Sequence, residues 1–113
     1  MKQYQVWYAY LPLKEGSHVQ GGCRPVIIIS NDIANKFSPI ISIIPLTSKT
    51  RKRSIPTHVE INVDGLTKTS LALCEQVTVV DKGLLSRCVG EIRSESDRAA
   101  LNRALATQFG MAA

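Results

Sequence analysis

Hydrophobic and polar positions alternate in short runs through the first half of the chain. Residues 6–11 and 24–30 are rich in β-branched and aromatic side chains, which predicts two strands, the second buried on both faces. The glycine-rich segment between them predicts a long loop. Asn31 can cap a short helical turn, and residues 40–46 predict a third strand in which Pro45 indicates an edge or a bulge near its end.

The second half of the chain continues with shorter apolar runs. Residues 57–61 alternate as a half-buried strand, which turns near Gly65 into a further strand over residues 70–74. Residues 75–80 are predicted to continue extended, and residues 88–92 add one short strand. The pattern therefore predicts an antiparallel meander of about four to five strands.

The last element differs in its period. Apolar residues recur at three- and four-residue intervals from Ala100 to Phe109, which predicts an amphipathic helix. Ser94 or Ser96 can cap its start, and Gly110 supplies its end. Many short strands with one terminal helix indicate a mostly-β (α+β) fold, in which a strongly bent barrel carries a helix on its curled sheet.

Length and composition favour a single compact domain. The 113 residues are 44% hydrophobic, which suits one core and places residues 1–113 in one domain. The longest apolar runs are too short to span a bilayer, and the first residues lack the features of a secretory signal. We therefore expect a cytoplasmic protein.

Net charge indicates which classes of partner the chain can bind, and cysteine content indicates whether it has a metal or redox site. Fourteen Lys and Arg against nine Asp and Glu give a net charge of +5, which favours a polyanion or an acidic protein as partner, although plain solubility would also explain it. Cys23, Cys74 and Cys88 are odd in number and widely spaced, and with only two histidines they match no zinc or redox pattern. Reduced thiols and no metal site are expected.

The candidate chemistry begins at Arg24, which follows Gly21 and Gly22 at the start of the second strand. A guanidinium keeps its charge near neutral pH and offers forked donors to phosphate oxygens. The chain has no P-loop, dinucleotide fingerprint, metalloprotease motif or nucleophile elbow. What remains suits metal-free chemistry on a phosphodiester, in which an RNA 2′-hydroxyl can be the nucleophile.

Six blocks of sequence between residues 6 and 92 occur in the order found in one known family. They are VWYA, GGCRPV, SNDIANKFSP, PLTS, PTHVE, and EQ followed by DK. With these blocks the chain resembles the MazF/PemK toxins of bacterial toxin–antitoxin pairs. The resemblance implies an SH3-like barrel, a homodimer, and a sequence-specific ribonuclease that cuts single-stranded RNA without metal or other cofactor, leaving a cyclic phosphate and a 5′-hydroxyl. It also implies inhibition of translation and growth, and a cognate antitoxin whose acidic segment blocks the RNA groove.

The resemblance assigns catalytic roles to Arg24 and Thr47. Arg24 would stabilise charge on the phosphorane oxygens, and the Thr47 hydroxyl would hold a phosphate oxygen or orient the 2′-hydroxyl. Ser48 is a candidate phosphate contact and His18 a candidate acid or base. Glu75 either orients Arg24, acts as a base, or is a buried structural carboxylate.

Candidate RNA-binding residues lie in two loops. Gln20 can read a base edge from the loop before the second strand. The densest run of charge, at Lys49, Arg51, Lys52 and Arg53, either lines the path of the RNA backbone or forms a solvated loop.

Other polar and aromatic residues have weaker assignments. His58 lies within a predicted strand and is expected to be an ordinary surface side chain. Trp7, Tyr8 and Tyr10 in the first strand either stack on bases or pack in the core, with core packing favoured. The loop before Gly21 has one residue more than is usual in the family, so we expect this chain to differ from its relatives in the RNA sequence that it cuts.

Two alternatives to a ribonuclease remain at this point. CcdB-like toxins share the fold and bind gyrase, with no need for the arginine and threonine pair. An inactive relative would bind RNA without cutting it.

Overall fold

A computed structural model of the chain describes residues 1–48 and 55–111. Within these ranges the fold contains seven strands, two α-helices and two short 3₁₀ turns, which are Cys74–Gln76 and Lys82–Leu84. In chain order the elements are β1 (Gln5–Leu11), β2 (Gly22–Ile28), α1 (Asp32–Phe37), β3 (Ile40–Thr47), β4 (His58–Ile61), β5 (Ser70–Leu73), β6 (Thr78–Asp81), β7 (Leu85–Glu91) and α2 (Glu95–Gln108).

All strand pairs are antiparallel, and the strands lie in the order β4-β5-β3-β2-β1-β7 with β6 also on β3. One edge of β3 pairs with β2, and its other edge pairs first with β6 up to Ile43 and then with β5 from Leu46. The expectation of an edge at Pro45 is wrong, because β3 is a central strand. Proline, which has no N–H to donate, is placed at the step where β3 changes partner.

After residue 74 the strands differ from the expected ones in two places. Residues 75–80 do not continue extended, because Cys74–Gln76 forms a 3₁₀ turn before β6 begins at Thr78. In addition, β7 begins at Leu85 and not at Cys88. Its residues Ser86–Cys88 are exposed and largely polar, so an apolar run could not reveal them.

Two apolar cores flank the central strands. The first contains Val6, Ile27 and Ile44 and is covered by α2, which contributes Leu101 and Ala104. The second contains Val26 and Ile28 with residues of β6 and β7. Because β2 contributes Val26, Ile27 and Ile28 to both cores, its predicted burial on both faces is confirmed.

The predicted helix caps are confirmed. Asn31 caps α1 by accepting a hydrogen bond from the Ala34 N–H at 2.9 Å, and Ser94 caps α2 by accepting from the Asp97 N–H at 3.3 Å. The apolar stripe of α2 ends earlier than expected, since Phe109 is the C-cap residue and is 60% exposed. Across the described residues, no helix has the length and apolar character needed to cross a membrane.

Candidate active site

A cleft of about 410 Å³ opens where β2 begins and β3 ends. Its other side is formed by the loop between β4 and β5. The residues that line it are Tyr8, Cys23, Arg24, Pro25, Leu46, Thr47, Ser48, Gly65, Leu66, Thr67, Lys68 and Ser70. The cleft thus contains both residues to which the sequence assigns catalytic roles, with Ser48 beside them.

Arg24 is half-buried and held by backbone carbonyls. Its Nε–H donates to the Gly21 oxygen at 3.0 Å, and its Nη1 donates to the Leu46 oxygen at 3.4 Å. In the described part of the chain it forms no ion pair with a carboxylate. A guanidinium has five N–H donors, so two bonds to carbonyls fix its position while others remain for an anion.

The Gly21 carbonyl is itself fixed by close packing. A Cβ at Gly21 would lie 2.5 Å from the Pro12 oxygen and 2.9 Å from a methyl carbon of Leu13, so only glycine fits against this part of the loop. Gly22 follows with a φ of 85°, in the left-handed region that glycine adopts readily. These two residues explain why a glycine pair precedes the arginine.

Thr47 is the last residue of β3, one residue beyond the strand predicted over residues 40–46. The pairing of β2 with β3 extends to Val26 and Pro45, and beyond it the Arg24 Nη1 donates to the carbonyl oxygen of Leu46, the residue before Thr47. Thr47 is half-buried and Ser48 is exposed. The antiparallel ladder therefore brings together an arginine and two hydroxyls that are more than twenty residues apart in sequence.

The opposite wall contains a cation that sequence reasoning missed. Lys68 is exposed on the loop between β4 and β5 and lines the cleft. This loop lies so close to β7 that a Cβ at Gly65 would overlap the Val89 carbonyl oxygen, and a Cβ at Gly90 would lie 2.6 Å from a methyl carbon of Val63. No local pattern marks Lys68, because its relation to Arg24 depends on how the loop folds over the sheet.

Glu75 is not among the described residues that line the cleft with Arg24. Its Oε2 is 2.9 Å from the His58 Nε2, and both side chains are less than one-third exposed. The expectation that His58 is an ordinary surface side chain is therefore wrong. The other carboxylate oxygen, Oε1, is buried and has no hydrogen-bond partner among the described residues. This geometry favours the structural alternative for Glu75.

Gln20 and His18 belong to the long loop, and neither is among the described residues that line the cleft. The Gln20 N–H donates to the Gln76 side-chain oxygen at 2.8 Å, and Gln20 lines a second, more apolar groove of about 660 Å³. His18 is exposed. The other predicted RNA-binding residues, Lys49, Arg51, Lys52 and Arg53, lie outside the described residues.

The three cysteines occupy different environments. Cys74 is fully buried beside Glu75, and burial, with a smaller contribution from the nearby carboxylate, raises the pKa of its thiol to about 12. Cys23 and Cys88 are exposed, and all three are free thiols. Cys23 lines the cleft next to Arg24.

Comparison with known proteins gives a consistent result. The family described as PemK-like, MazF-like toxin of type II toxin-antitoxin system matches residues 2–109. Endoribonuclease EndoA of Bacillus subtilis is 38% identical over 97 residues, covering 84% of this chain and 83% of that protein. Endoribonuclease MazF of Staphylococcus saprophyticus is 37% identical over 113 residues, covering 98% of this chain and 92% of that protein.

A solved structure adds similarity of fold. It is an endoribonuclease in complex with its cognate antitoxin from a mycobacterial species. Its toxin-like chain superposes with a TM-score of 0.77 at 25% identity, covering 100% of this chain and 98% of that one. The bent sheet with a C-terminal helix is therefore the fold of that structure as well.

Proposed function

Because the chain belongs to the PemK-like, MazF-like toxin family of type II toxin–antitoxin systems, we propose that it is a sequence-specific endoribonuclease toxin that cuts single-stranded RNA. We place residues 1–113 in one toxin domain that acts in the cytoplasm. The observation that carries the proposal is the position of Arg24, held by two backbone carbonyls in a cleft that also contains Thr47.

The proposed reaction uses the RNA's own 2′-hydroxyl. Its oxygen attacks the adjacent phosphorus, a bond forms between O2′ and phosphorus, and the bond from phosphorus to O5′ breaks. The products are a 2′,3′-cyclic phosphate and a 5′-hydroxyl, with one proton lost at O2′ and one gained at O5′. Arg24 donates hydrogen bonds to the phosphorane oxygens, where negative charge increases, and can assist proton delivery to O5′.

Thr47 and Ser48 are proposed to position the phosphate. The Thr47 hydroxyl lies at the end of β3, where it can hold a non-bridging oxygen or orient the 2′-hydroxyl. Ser48 provides a second hydroxyl beside it. Lys68 on the opposite wall extends the positive charge along the cleft, and the basic run that contains Arg51 and Lys52 is proposed to follow the RNA backbone.

The proposed partners follow from family membership. A mycobacterial relative has been solved with its cognate antitoxin, and the charge of +5 on this chain suits an antitoxin with an acidic segment that competes with RNA. We also propose that the chain forms a homodimer. No metal or other cofactor is required by the proposed chemistry.

The proposal is tested by replacing Arg24. Arg24→Ala should cut single-stranded RNA at least about a hundredfold more slowly than the unmodified protein, in the presence of chelator, because charge on the phosphorane is no longer stabilised. Cleavage products are quantified on a gel, and sequencing of the RNA ends identifies the recognised sequence. The matched control is Arg93→Ala, because that side chain is 73% exposed and lies outside the cleft.

Two results would contradict the proposal. If Arg24→Ala cuts at the rate of the unmodified protein, Arg24 is not catalytic. If the unmodified protein leaves RNA intact at high concentration, the chain is not a ribonuclease, and a gyrase supercoiling assay then distinguishes a gyrase-binding toxin from an inactive RNA-binding relative.

A further inference from the structure

Tyr8 is an aromatic residue of β1 that neither apolar core includes. The two cores and the side chains packed against them, within the described residues, contain Trp7 and Tyr4 but not Tyr8. Tyr8 is half-buried and lines the cleft that contains Arg24. Core packing therefore does not account for this ring.

The neighbours of Tyr8 orient it along one wall of the cleft. Tyr8 pairs with Pro25 on β2, and both Pro25 and Cys23 lie on the same face of the sheet as Tyr8 and line the cleft. The ring therefore lies beside the two sequence neighbours of Arg24, and all four residues line the cleft.

A cation holds the ring from the other neighbouring strand. Tyr8 pairs with Arg87 on β7, and the Arg87 guanidinium carbon lies 4.9 Å from the centroid of the Tyr8 ring. Arg87 is exposed and does not line the cleft. This cation–π contact limits the orientations of the ring without occupying the cleft.

The other aromatic residues of β1 have different surroundings. Trp7 packs against the second core, and its indole N–H donates to the Gln5 side-chain oxygen at 3.0 Å. Tyr10 is 60% exposed and is not among the cleft-lining residues. Tyr8 is therefore the β1 aromatic available to a ligand in the cleft.

We propose that Tyr8 is an RNA-binding residue that stacks on one unpaired nucleobase of the RNA, next to the phosphate held by Arg24. The inference rests on the proposed ribonuclease function. A cleft of about 410 Å³ has the scale of a small-ligand site, and a tyrosine face stacks on any base while a neighbouring cation binds phosphate. Tyr8 then contributes binding at one base position, and Arg24 acts on the phosphate.

The test combines variants with substrates that lack one base. An RNA that the unmodified protein cuts is prepared with an abasic nucleotide at each position around the cut. The unmodified protein should lose about tenfold in kcat/KM when the stacked base is removed. Tyr8→Leu should cut the intact RNA about tenfold more slowly, and it should show no further loss with that abasic RNA, because the contact is already missing.

Two further variants separate stacking from other effects. Tyr8→Phe keeps the ring and should keep both the rate and the sensitivity to the abasic position. Tyr10→Leu is the matched control on the same strand face and should behave as the unmodified protein does. A Tyr8→Leu variant that cuts intact RNA at the unmodified rate, or that loses as much as the unmodified protein at the abasic position, would overturn the inference.

A measurement on the unmodified protein covers the case in which Tyr8→Leu does not fold. The RNA carries 5-iodouridine near the cut and a 2′-O-methyl group that blocks attack, and it is irradiated in complex with the protein. A cross-link at Tyr8 is expected, and cross-links that fall only at Trp7 or Tyr10 would overturn the inference. If the unmodified protein cuts RNA but the expected abasic and cross-linking results at Tyr8 are not obtained, this inference alone is rejected. If the unmodified protein does not cut RNA, the proposed function is rejected and the inference with it.

Discussion

Backbone carbonyl oxygens hold Arg24 in position, and they do so without neutralising its positive charge. A carboxylate partner would fix a guanidinium equally well, but it would also neutralise it and compete with phosphate. The Gly21 and Leu46 carbonyls hold the side chain without adding a negative charge. The cation therefore remains available to an anion in a site that is partly shielded from water, where its effect on charge is larger than in bulk solvent.

Cys74 allows a prediction about pH that does not involve the cleft. The unperturbed pKa of 9.0 is raised to about 12 in the folded protein, chiefly by burial. Below pH 9 the thiol is protonated in both states and stability is unaffected. Between pH 9 and 12 the unfolded chain releases a proton that the folded chain retains, so the free energy of unfolding falls as pH rises.

This effect is measurable as a difference in slope. Urea unfolding of the unmodified protein, followed from pH 8 to 10.5, should lose on the order of 1 kcal/mol per pH unit more than that of Cys74→Ala above pH 9. Cys74→Ala keeps every other side chain of the protein, so it is the control for all other effects of pH. Parallel slopes in the two proteins would show that Cys74 does not couple to folding.

Among the elements, β3 organises the fold and the site together. It pairs with β2 on one edge, and with β6 and then β5 on the other, and it ends at Thr47 in the cleft. The loop after β4 completes the cleft by packing against β7. Two glycines, Gly65 and Gly90, permit the close approach of these backbones.

Replacing Gly65 should therefore damage the fold. We expect Gly65→Ala to lower the free energy of unfolding by about 1–3 kcal/mol, because its Cβ overlaps the Val89 carbonyl and the backbone must move. Gly83→Ala is the control, since a Cβ there meets nothing within 4 Å, and it should change stability by less than about 0.5 kcal/mol. Equal stability of the two variants in urea unfolding would contradict the packing argument.

The sequence predicts elements well where the signal is local. The caps at Asn31 and Ser94 depend on residues three positions apart, and both are confirmed. The strand predicted over residues 40–46 is likewise marked by adjacent apolar residues, and β3 extends from Ile40 to Thr47. The central position of Pro45 was missed because the partners of β3 are distant in sequence.

In the candidate site, too, the residues with a local sequence signal were predicted and those that depend on distant contacts were missed. The glycine pair and Arg24 are marked by adjacent residues, and the family resemblance supplied Thr47. Lys68 and the contact between His58 and Glu75 depend on how separate loops meet in space, so no spacing along the chain could reveal them.

Over the whole molecule, the net positive charge and the cations in the cleft both favour binding of a polyanion. The net charge of +5 attracts a polyanion from a distance, whereas Arg24 and Lys68 provide cations on two walls of the cleft. A phosphate backbone that enters the cleft displaces bound counterions at each contact. RNA affinity should therefore depend strongly on salt.

Lys68 is expected to contribute to this dependence. Affinity is measured for a non-cleavable 2′-O-methyl RNA, and its logarithm is plotted against the logarithm of salt concentration. The slope of this plot should be smaller in magnitude by roughly 0.7–1 for Lys68→Ala than for the unmodified protein, because one phosphate contact is lost. Fluorescence anisotropy over a range of NaCl concentrations measures the slope. Lys36→Ala is the control, because Lys36 lies on α1 beside Phe37 and outside the cleft; an equal change in both variants would assign the effect to net charge alone.

The pairing of β1 with β7 also sets the order in which the cleft is completed during synthesis. The ribosome releases Tyr8, Arg24 and Thr47 early, but the wall with Lys68 comes later, and β7, which holds both that wall and the Tyr8 ring, comes later still. Until β7 has emerged, a nascent chain therefore lacks both the contact of Arg87 with the Tyr8 ring and the strand against which Gly65 packs.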